Sequence, residues 1–266
     1  MNLDEMFYAP LRSLSFRGKY RLSNLIVPKS GLRTARIFGY SMELDLSDYI
    51  QRSVYAGLYE VDDVSWFRTV LKEGMTFVDV GANIGYYTAL GASVVGKRGR
   101  VLAFEPDPFA FARLERFAKL NGLSQVECQP MALSDQEQKL TLFVPPKSYG
   151  NHNPSTSRYC NDMTAQEVPA GTLDRFVETS NVGCIDLLKI DVEGHELRVL
   201  QGGQRSIREG RIKRILCEFN EKMLALAGSS ACQLYEWLSR EGYHDVDGAP
   251  KFGTTAENRR LVFKVS

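Results

Sequence analysis

Four residues of the segment FVDVGANIGYYT have types and spacings suited to holding a nucleoside ligand. They form the pattern D-x-G-x-N-x-G through Asp79, Gly81, Asn83 and Gly85, where an apolar run gives way to a helical pattern. Glycine lets the backbone turn tightly and approach a ligand without interference from a Cβ atom. We expect Asp79 to accept a hydrogen bond from a ligand ammonium group, directly or through water, which suits an amino-acid head group.

A further acid, Glu105, stands at the end of the next apolar run, RVLAFEPDP, 20 residues after Gly85. Pro106 cannot continue a hydrogen-bonded ladder, so the strand must stop where this acid is displayed. An acid at this place in a doubly wound sheet accepts hydrogen bonds from ribose hydroxyls. The following run ends in QPMALSD, and we predict that the backbone around Ala132 meets the edge of an adenine ring.

The segment CIDLLKIDVEGHE concentrates charge in what reads as a central buried strand. Lys189, Asp191 and Glu193 alternate onto one side of that strand, and burying such charges is costly unless they are paired or functional. His195 adds a group that can take a proton near neutral pH. Lys189, Asp191 and His195 are therefore the candidate catalytic residues. The sequence contains no cluster that demands a metal, although Asp191 with Glu193 could hold Mg²⁺ through oxygen ligands.

These residues need a parallel sheet to bring them together. Apolar runs alternate with helical patterns from residue 76 onward, which predicts an α/β fold with five or more parallel strands. KLTLFV and the terminal RLVFKV follow the pattern of an added antiparallel edge strand. Upstream, RIFGYSMELDLSDYIQRSVYAGLYE predicts one or two strands or a hairpin before a helix. The strand runs are TFVDVG, RVLAFEP, QVECQPMAL, CIDLLKIDVEG and RILCEF; the helices are VDDVSWFRTVL, FAFARLERFAKLNG and an interrupted HELRVLQGGQRSIREG.

Residues 145–171 form one long stretch without a regular pattern, and such loops inside compact domains are usually functional lids or disordered. Its polar and aromatic side chains suit a polyhydroxylated substrate, since Tyr149 can stack on a sugar ring and its neighbours offer donors and acceptors. The predicted substrate-binding residues are Tyr149, Asn151, His152 and Asn153.

Charge is distributed unevenly along the 266 residues, whose formal net charge is +1. Residues 1–36 carry seven Lys and Arg against two acids. This basic segment either touches an anionic membrane surface or a polyanionic acceptor, or is a solvated face. We predict an N-terminal extension at 1–55, with strands, and one larger domain at 56–266. The near-neutral total gives no reason to expect nucleic acid as the partner.

The remaining composition predicts a cytoplasmic protein. Five cysteines without a C-x-x-C pair indicate neither a disulfide framework nor a four-thiolate zinc site. No stretch approaches the ~18 consecutive apolar residues of a transmembrane helix. The start MNLDEMFYAP carries acids where a secretion signal would carry positive charge.

Five segments, taken in order, resemble the FkbM family of S-adenosylmethionine-dependent methyltransferases: FVDVGANIGYYT, VLAFEPDP, LNGLSQVECQPMALSD, TLDRF and LLKIDVEGHELRVLQGG. The resemblance covers roughly residues 55–220. It implies a class I, Rossmann-like methyltransferase fold, with a mostly parallel seven-stranded sheet, helices on both faces and an antiparallel edge strand. It also implies S-adenosylmethionine as cofactor and methyl transfer to an oxygen, often on a sugar or secondary metabolite.

The resemblance implies roles for particular residues. Asp79, Gly81 and Gly85 would hold the methionine part of the cofactor, Glu105 its ribose, and the end of the strand at Asp191 the acceptor side. The Asp191 carboxylate would also bind the cofactor by favouring its sulfonium cation. Two alternatives stay open. A nicotinamide-dependent oxidoreductase shares the strand, turn and ribose acid, but its G-x-G-x-x-G fingerprint is absent because Asn83 stands where it needs glycine. A non-catalytic nucleoside-binding protein of the same fold would have no need of the acids.

Overall fold

The structure is a computed structural model that describes residues 25–246 and 259–265; for residues 62 and 259–265 it describes the backbone alone. The helices are α1 (Tyr49–Ala56), α2 (Val61–Val70), α3 (Tyr86–Val95), α4 (Pro108–Leu120), α5 (Leu173–Thr179), α6 (Glu196–Gln201), α7 (Gln204–Arg208), α8 (Glu221–Leu226) and α9 (Ala231–Arg240). Among the described residues, none of the helices has the length and apolar character that crossing a bilayer requires.

A seven-stranded sheet forms the centre of the fold. Its strands, in spatial order, are β11 (Tyr243–Asp245), β12 (Arg259–Val265), β10 (Arg214–Phe219), β9 (Leu187–Ile190), β3 (Thr76–Val80), β4 (Arg100–Phe104) and β5 (Val126–Gln129). The strands from β10 to β5 are mutually parallel, which confirms the five predicted parallel runs. The antiparallel β12 is placed differently from the prediction, because it pairs with both β10 and β11 and so does not form the edge.

The alternation of side chains along the strands supplies both faces of the sheet with a core. Phe77 packs into one apolar cluster with α3, whereas its neighbour Val78 packs into a second cluster with residues of β9 and β10. All four residues of β9 are buried, including Lys189. Because both faces of the sheet are covered, a ligand can bind only at the ends of the strands.

The predicted N-terminal hairpin is present, with an additional helix. Strands β1 (Leu32–Ile37) and β2 (Tyr40–Asp45) pair antiparallel, and α1 precedes the predicted helix α2. Met42 and Leu44 are buried in the same apolar cluster as Phe77, so the hairpin packs directly on the central domain. Residues 1–24, with four of the seven basic side chains of the N-terminal segment, lie outside the described residues.

A second sheet corrects two predictions. Strands β6 (Ala132–Leu133), β7 (Gln138–Val144) and β8 (Thr164–Gly171) form a separate three-stranded sheet. KLTLFV therefore pairs with β8, and does not extend the central sheet. The irregular stretch predicted for 145–171 ends at residue 163, because alternate residues Val168 and Ala170 are buried as β8. The predicted run QVECQPMAL likewise divides into β5 and β6 around Pro130, which cannot donate to a ladder.

The helix predicted around Gly202 and Gly203 is interrupted there, as expected, with α6 before the glycines and α7 after them. A Cβ atom at position 202 would lie 1.9 Å from the carbonyl oxygen of Ser134. The glycine is thus required by the close approach of α6 to the backbone that follows β6.

Candidate active site

One cleft of about 390 Å³ opens where β3, β4 and β9 end, which is the edge at which doubly wound sheets bind their ligands. Its volume lies in the range typical of small-molecule sites. Nine of the predicted site residues line it: Gly81, Asn83, Glu105, Ala132, Asn151, Asn153, Lys189, Asp191 and His195. Asp79, Gly85, Tyr149 and His152 lie outside its lining and have other contacts.

The loop from β3 to α3, residues 81–85, is called the glycine loop below. It depends on left-handed backbone conformations. Gly81, Asn83 and Gly85 have φ values of +75°, +49° and +95°. A Cβ atom at position 81 would lie 1.9 Å from the carbonyl oxygen of Asp191. The space that this glycine leaves is therefore filled by the end of β9, and the loop and β9 are packed backbone to backbone.

Lys189 of β9 is bonded to this loop and to the strand before it. Its ammonium group donates to the Gly81 carbonyl oxygen at 3.0 Å and lies 3.4 Å from Oδ1 of Asp79. Asp79 is fully buried, and its Oδ2 accepts a hydrogen bond from the Thr88 hydroxyl at 2.7 Å. Burial of both charges is tolerated because they are paired and hydrogen bonded. Asp79 does not line the cleft, and its Oδ1 atom has no hydrogen-bond partner within the described residues.

Glu105 is the buried acid at the end of β4. Oε2 accepts the backbone N–H of Asn83 at 2.7 Å, and Oε1 accepts that of Asp107 at 2.9 Å. These bonds favour the ionised form, but burial outweighs them and raises the pKa of Glu105 to about 7. Each oxygen keeps a further lone pair, so an ionised Glu105 can accept hydrogen bonds from ligand hydroxyls in the cleft.

His195 lies at the start of α6 between two hydroxyl groups. Nε2 is 3.0 Å from Oγ of Ser134, and Nδ1 is 3.4 Å from Oγ1 of Thr156. Burial, with a smaller contribution from the charge of Arg198, lowers the pKa of His195 to about 4. The imidazole is therefore neutral near pH 7. The Ser134 hydroxyl donates to Asp135, which assigns the ring proton to Nε2 and leaves a lone pair on Nδ1.

Three carboxylates meet at the β9 and β10 side of the cleft: Asp191, Glu193 and Glu218, with oxygens within 4.8 Å of one another. Oxygen ligands in this number could hold a divalent cation such as Mg²⁺. Glu218 was not among the sequence candidates. The sequence could have indicated Glu218, because it is the acid near the end of RILCEF, the strand next to Lys189 and Asp191.

Residues 145–163, called the lid below, contribute part of the lining of the cleft and are tied to several elements. The backbone N–H of His152 donates to Asp48, and its Nε2 lies 2.8 Å from Oδ2 of Asp107. The Asn153 amide donates to Oε1 of Glu193 at 2.7 Å. Tyr149 contacts the ring of Tyr159 and is half exposed. Asn151, Asn153 and Thr156 face the cleft, whereas Tyr149 and His152 take part in holding the lid.

Two further parts of the lining were missed by the sequence analysis. An apolar side is made by Met131, Leu133, Leu140, Leu142 and Val168, mostly from the second sheet. Another part of the lining is made by Tyr59, Glu60, Tyr86 and Tyr87. Neither follows from a local motif, because the first requires the pairing of β6, β7 and β8 and the second requires the N-terminal helices to pack on α3.

Comparison with known proteins identifies the relatives of this chain. A family model described as a methyltransferase FkbM domain matches residues 79–244. Methyltransferase 1 of Beauveria bassiana is 31% identical over 146 residues, which cover 47% of this chain and 57% of that protein. The hexuronic acid methyltransferase AglP of Haloferax volcanii is 31% identical over 144 residues, covering 54% of this chain and 51% of that protein.

The match with these curated relatives thus spans between about half and three-fifths of their length. Among solved structures, the methyltransferase FkbM of Methylobacillus flagellatus aligns with a TM-score of 0.43 and 16% identity, over 82% of this chain and 55% of that one.

Proposed function

This chain belongs to the FkbM methyltransferase family, its cofactor is S-adenosylmethionine, and we propose that it methylates a hydroxyl oxygen of a sugar, glycan or secondary metabolite. One observation carries the proposal. The same cleft is lined by the buried acid Glu105 and the glycine loop, and by the carboxylates and lid amides. A nucleoside site and a polar acceptor site are thereby contiguous, as group transfer requires.

The residues of the cleft fit the proposed cofactor. An ionised Glu105 would accept the ribose hydroxyls, and the loop at Gly81 and Asn83 would lie along the adjoining part of the ligand. The apolar side at Met131 and Leu133, with the backbone of Ala132, would cover the adenine ring. When bound, S-adenosylmethionine supplies a methyl group on a sulfonium, which an oxygen nucleophile can displace in line.

We assign the general base to Asp191. A hydroxyl is barely ionised at neutral pH, so a base within hydrogen-bond reach contributes ~10²- to 10⁴-fold to the rate. Asp191 lines the cleft, its backbone lies against Gly81, and 18% of its side chain is exposed. Its carboxylate can therefore reach the acceptor beside the glycine loop and take the hydroxyl proton.

The other two candidate catalytic residues are assigned to supporting roles. Lys189 holds the Gly81 carbonyl and the buried Asp79, so its ammonium group positions the loop. His195 is neutral and joins Ser134 to Thr156 of the lid. We propose that its Nδ1 lone pair accepts the Thr156 hydroxyl and so positions the lid for the acceptor, because a group with a pKa of about 4 is a weak base at neutral pH.

The acceptor class is supported by the lid and by one relative. Asn151, Asn153 and Thr156 offer amide and hydroxyl groups to the cleft, which suit a polyhydroxylated molecule. The Haloferax volcanii relative is named a hexuronic acid methyltransferase. We propose that Tyr149 and His152 serve the acceptor indirectly, by keeping the lid over the cleft.

The test is methyl transfer from labelled S-adenosylmethionine to a panel of glycosides and phenols, with products identified by mass spectrometry. We expect a methyl ether on a hydroxyl-bearing acceptor, and a loss of about 100-fold or more in turnover for Asp191→Asn. Transfer to nitrogen or carbon would contradict the O-methylation. Binding of NAD in preference to S-adenosylmethionine would favour the oxidoreductase, and tight cofactor binding without transfer to any acceptor would favour a non-catalytic protein.

A further inference from the structure

Four polar residues form a closed ring of hydrogen bonds that includes the acid proposed for the ribose. Glu105 accepts the backbone N–H of Asn83 at 2.7 Å on one oxygen and that of Asp107 at 2.9 Å on the other. Both donors also bind His152 of the lid. The Asn83 side-chain amide donates to the His152 carbonyl oxygen at 3.3 Å, and Nε2 of His152 lies 2.8 Å from Oδ2 of Asp107. Two hydrogen bonds therefore separate the ribose acid from the lid on either path around the ring.

Asp107 is fixed in this ring by its other contacts. Its side chain is almost completely buried and caps α4, with Oδ2 accepting the N–H of Ala110 at 2.9 Å. Gln166 of β8 donates to Oδ1 at 2.8 Å. Burial alone would raise the pKa of Asp107, but these hydrogen bonds and that of His152 lower it, so the carboxylate is ionised at neutral pH. The bond to His152 is therefore charge-assisted, which makes it roughly twice as strong as a neutral hydrogen bond.

His152 is the lid residue that the ring includes. Its backbone N–H donates to Oδ2 of Asp48 at 2.9 Å, and its ring contacts that of Phe109, with centroids 5.2 Å apart. Asn153 and Thr156, which follow it in the chain, line the cleft, whereas His152 does not. The position of His152 thus helps to set that of the lid residues proposed to bind the acceptor.

The residue type at Asn83 fits this arrangement. Its backbone has φ +49°, a left-handed conformation that asparagine adopts more readily than most residues other than glycine. A glycine at this position would take the same conformation but would have no amide group to donate to the lid. The asparagine of D-x-G-x-N-x-G therefore makes a contact with the lid that a glycine could not make.

Ligand bound at the ribose acid should strengthen the ring. Burial raises the pKa of Glu105 to about 7 in the ligand-free protein, so roughly half of the molecules carry it protonated at neutral pH. Ribose hydroxyls need the ionised form, and the added charge strengthens the bonds that Asn83 and Asp107 donate to Glu105. Because the same two residues bind His152, fixing them also fixes the lid.

From these contacts we infer that Asp107 and His152 are positioning residues through which a cofactor bound at Glu105 holds the lid in place for the acceptor. The inference rests on the proposed use of S-adenosylmethionine by this cleft. It adds a coupling between the two halves of the proposed reaction, because the acceptor then binds more tightly when the cofactor is present. Asp107 does not line the cleft, so it acts on the acceptor only through the lid.

The test measures amide hydrogen exchange of the lid, in peptides from residues 153–160, on the full chain with and without S-adenosylhomocysteine at neutral pH. Such exchange reports local opening. Coupling between two sites typically amounts to about 5- to 150-fold, and we expect the ligand to slow lid exchange about fivefold in the parent, since the ring includes a single lid residue.

Two variants of His152 separate coupling from simple support. His152→Ala should abolish the slowing by the ligand, and because coupling is reciprocal it should weaken S-adenosylhomocysteine binding by the same factor, measured by calorimetry. His152→Gln keeps an N–H donor for Asp107 and should restore both the slowing and the affinity.

Tyr159→Phe is the matched control. It removes a hydrogen bond within the lid, from the Tyr159 hydroxyl to the Asn153 carbonyl oxygen at 2.5 Å, and leaves the ring intact. Lid exchange of this variant should be faster both with and without the ligand, while the slowing caused by the ligand persists. Circular dichroism establishes that each variant is folded.

Other outcomes overturn the inference in distinguishable ways. If the ligand binds the parent without changing lid exchange, the cofactor site and the lid are not coupled. If the ligand slows lid exchange in His152→Ala as it does in the parent, the coupling does not pass through this ring. If His152→Ala binds the ligand more weakly but keeps the slowing, His152 only supports the ribose site. Failure of the folded parent to bind S-adenosylhomocysteine would instead contradict the proposed function itself.

Discussion

The glycine loop and the lid both line one cleft, where the Asn83 side-chain amide donates to the His152 carbonyl oxygen, and they are built in opposite ways. At the loop, Gly81 lies against the backbone of Asp191, and Asp79 and Lys189 are almost completely buried. The lid is held by polar contacts with several elements, such as the hydrogen bonds of Asn153 and Ser155 to Glu193, and Tyr149 is half exposed. Under the proposed function, cofactor binding would depend on close backbone packing, whereas acceptor binding would depend on polar side chains that other residues could replace.

The largest expected effect breaks the packing at the loop. Gly81→Ala should lower the free energy of unfolding by about 3 to 5 kcal/mol, because its Cβ would lie 1.9 Å from the Asp191 carbonyl oxygen and φ is +75°. Gly74→Ala is the matched control, with φ +83° and no atom within 4 Å, and should cost only about 1 kcal/mol. Urea unfolding of the two variants measures the difference. Equal losses would mean that backbone conformation alone, and not contact with β9, requires the glycine.

The next largest effect is the dependence of cofactor affinity on pH. The pKa of Glu105 in the ligand-free protein is raised to about 7 by burial, whereas the ribose hydroxyls need the ionised form. Affinity for S-adenosylmethionine should therefore fall about tenfold between pH 8 and pH 6, with proton release on binding near pH 7. Calorimetry in buffers of different ionisation enthalpy measures both. An affinity independent of pH would remove Glu105 from the ribose site.

The ionisation of Glu105 also affects the stability of the ligand-free protein, which falls as the pH rises, whereas the affinity for the cofactor increases. Because the folded pKa of Glu105 lies above its unfolded value of 4.5, its contribution to stability is complete below pH 4.5 and is lost as the pH rises through 7. Glu196 is also fully buried, with a pKa raised to about 7 by burial, and adds to this loss. The increase in Tm caused by the cofactor should therefore be larger at pH 8 than at pH 6.

Replacing the lid tests whether acceptor binding depends on it. A Gly/Ser linker in place of residues 149–156 should preserve S-adenosylmethionine binding within a few-fold, because Gly81 and Glu105 keep their contacts, yet remove transfer to the acceptor. Binding and turnover are measured on the same preparation. Full transfer by this variant would show that acceptor specificity lies elsewhere, and the basic N-terminal 50 residues would be the next region to test.

The smallest effect is expected at His195, which joins Ser134 after β6 to Thr156 of the lid. His195→Ala should leave cofactor affinity nearly unchanged and lower turnover by less than the ~10²-fold loss expected for a general base. Because the pKa of His195 is lowered to about 4, the rate of the parent should show no histidine ionisation between pH 6 and 7. A loss of 10²-fold or more, with a changed pH profile, would return the role of base from Asp191 to His195.

The residues of the glycine loop could be predicted from the sequence better than those of the lid, for a physical reason. Gly81, Glu105 and Lys189 end adjacent parallel strands, so a local pattern of apolar run, acid and glycine is enough to place them at one edge. It missed Glu60, because that residue reaches the cleft only when α2 packs beside α3. It also predicted a loop for β8, whose TAQEVPAG is polar and contains a proline, since it pairs only in the small second sheet.

The central claim is that this cleft takes S-adenosylmethionine with its ribose on Glu105. The direct measurement is the Kd of S-adenosylmethionine for the parent and for Glu105→Ala, with circular dichroism to establish that both are folded. We predict clear binding by the parent and a loss of about 100-fold or more in the variant, because two buried ribose hydroxyls would lose a charged acceptor. Equal affinity of the folded variant and the parent would contradict the placement of the site.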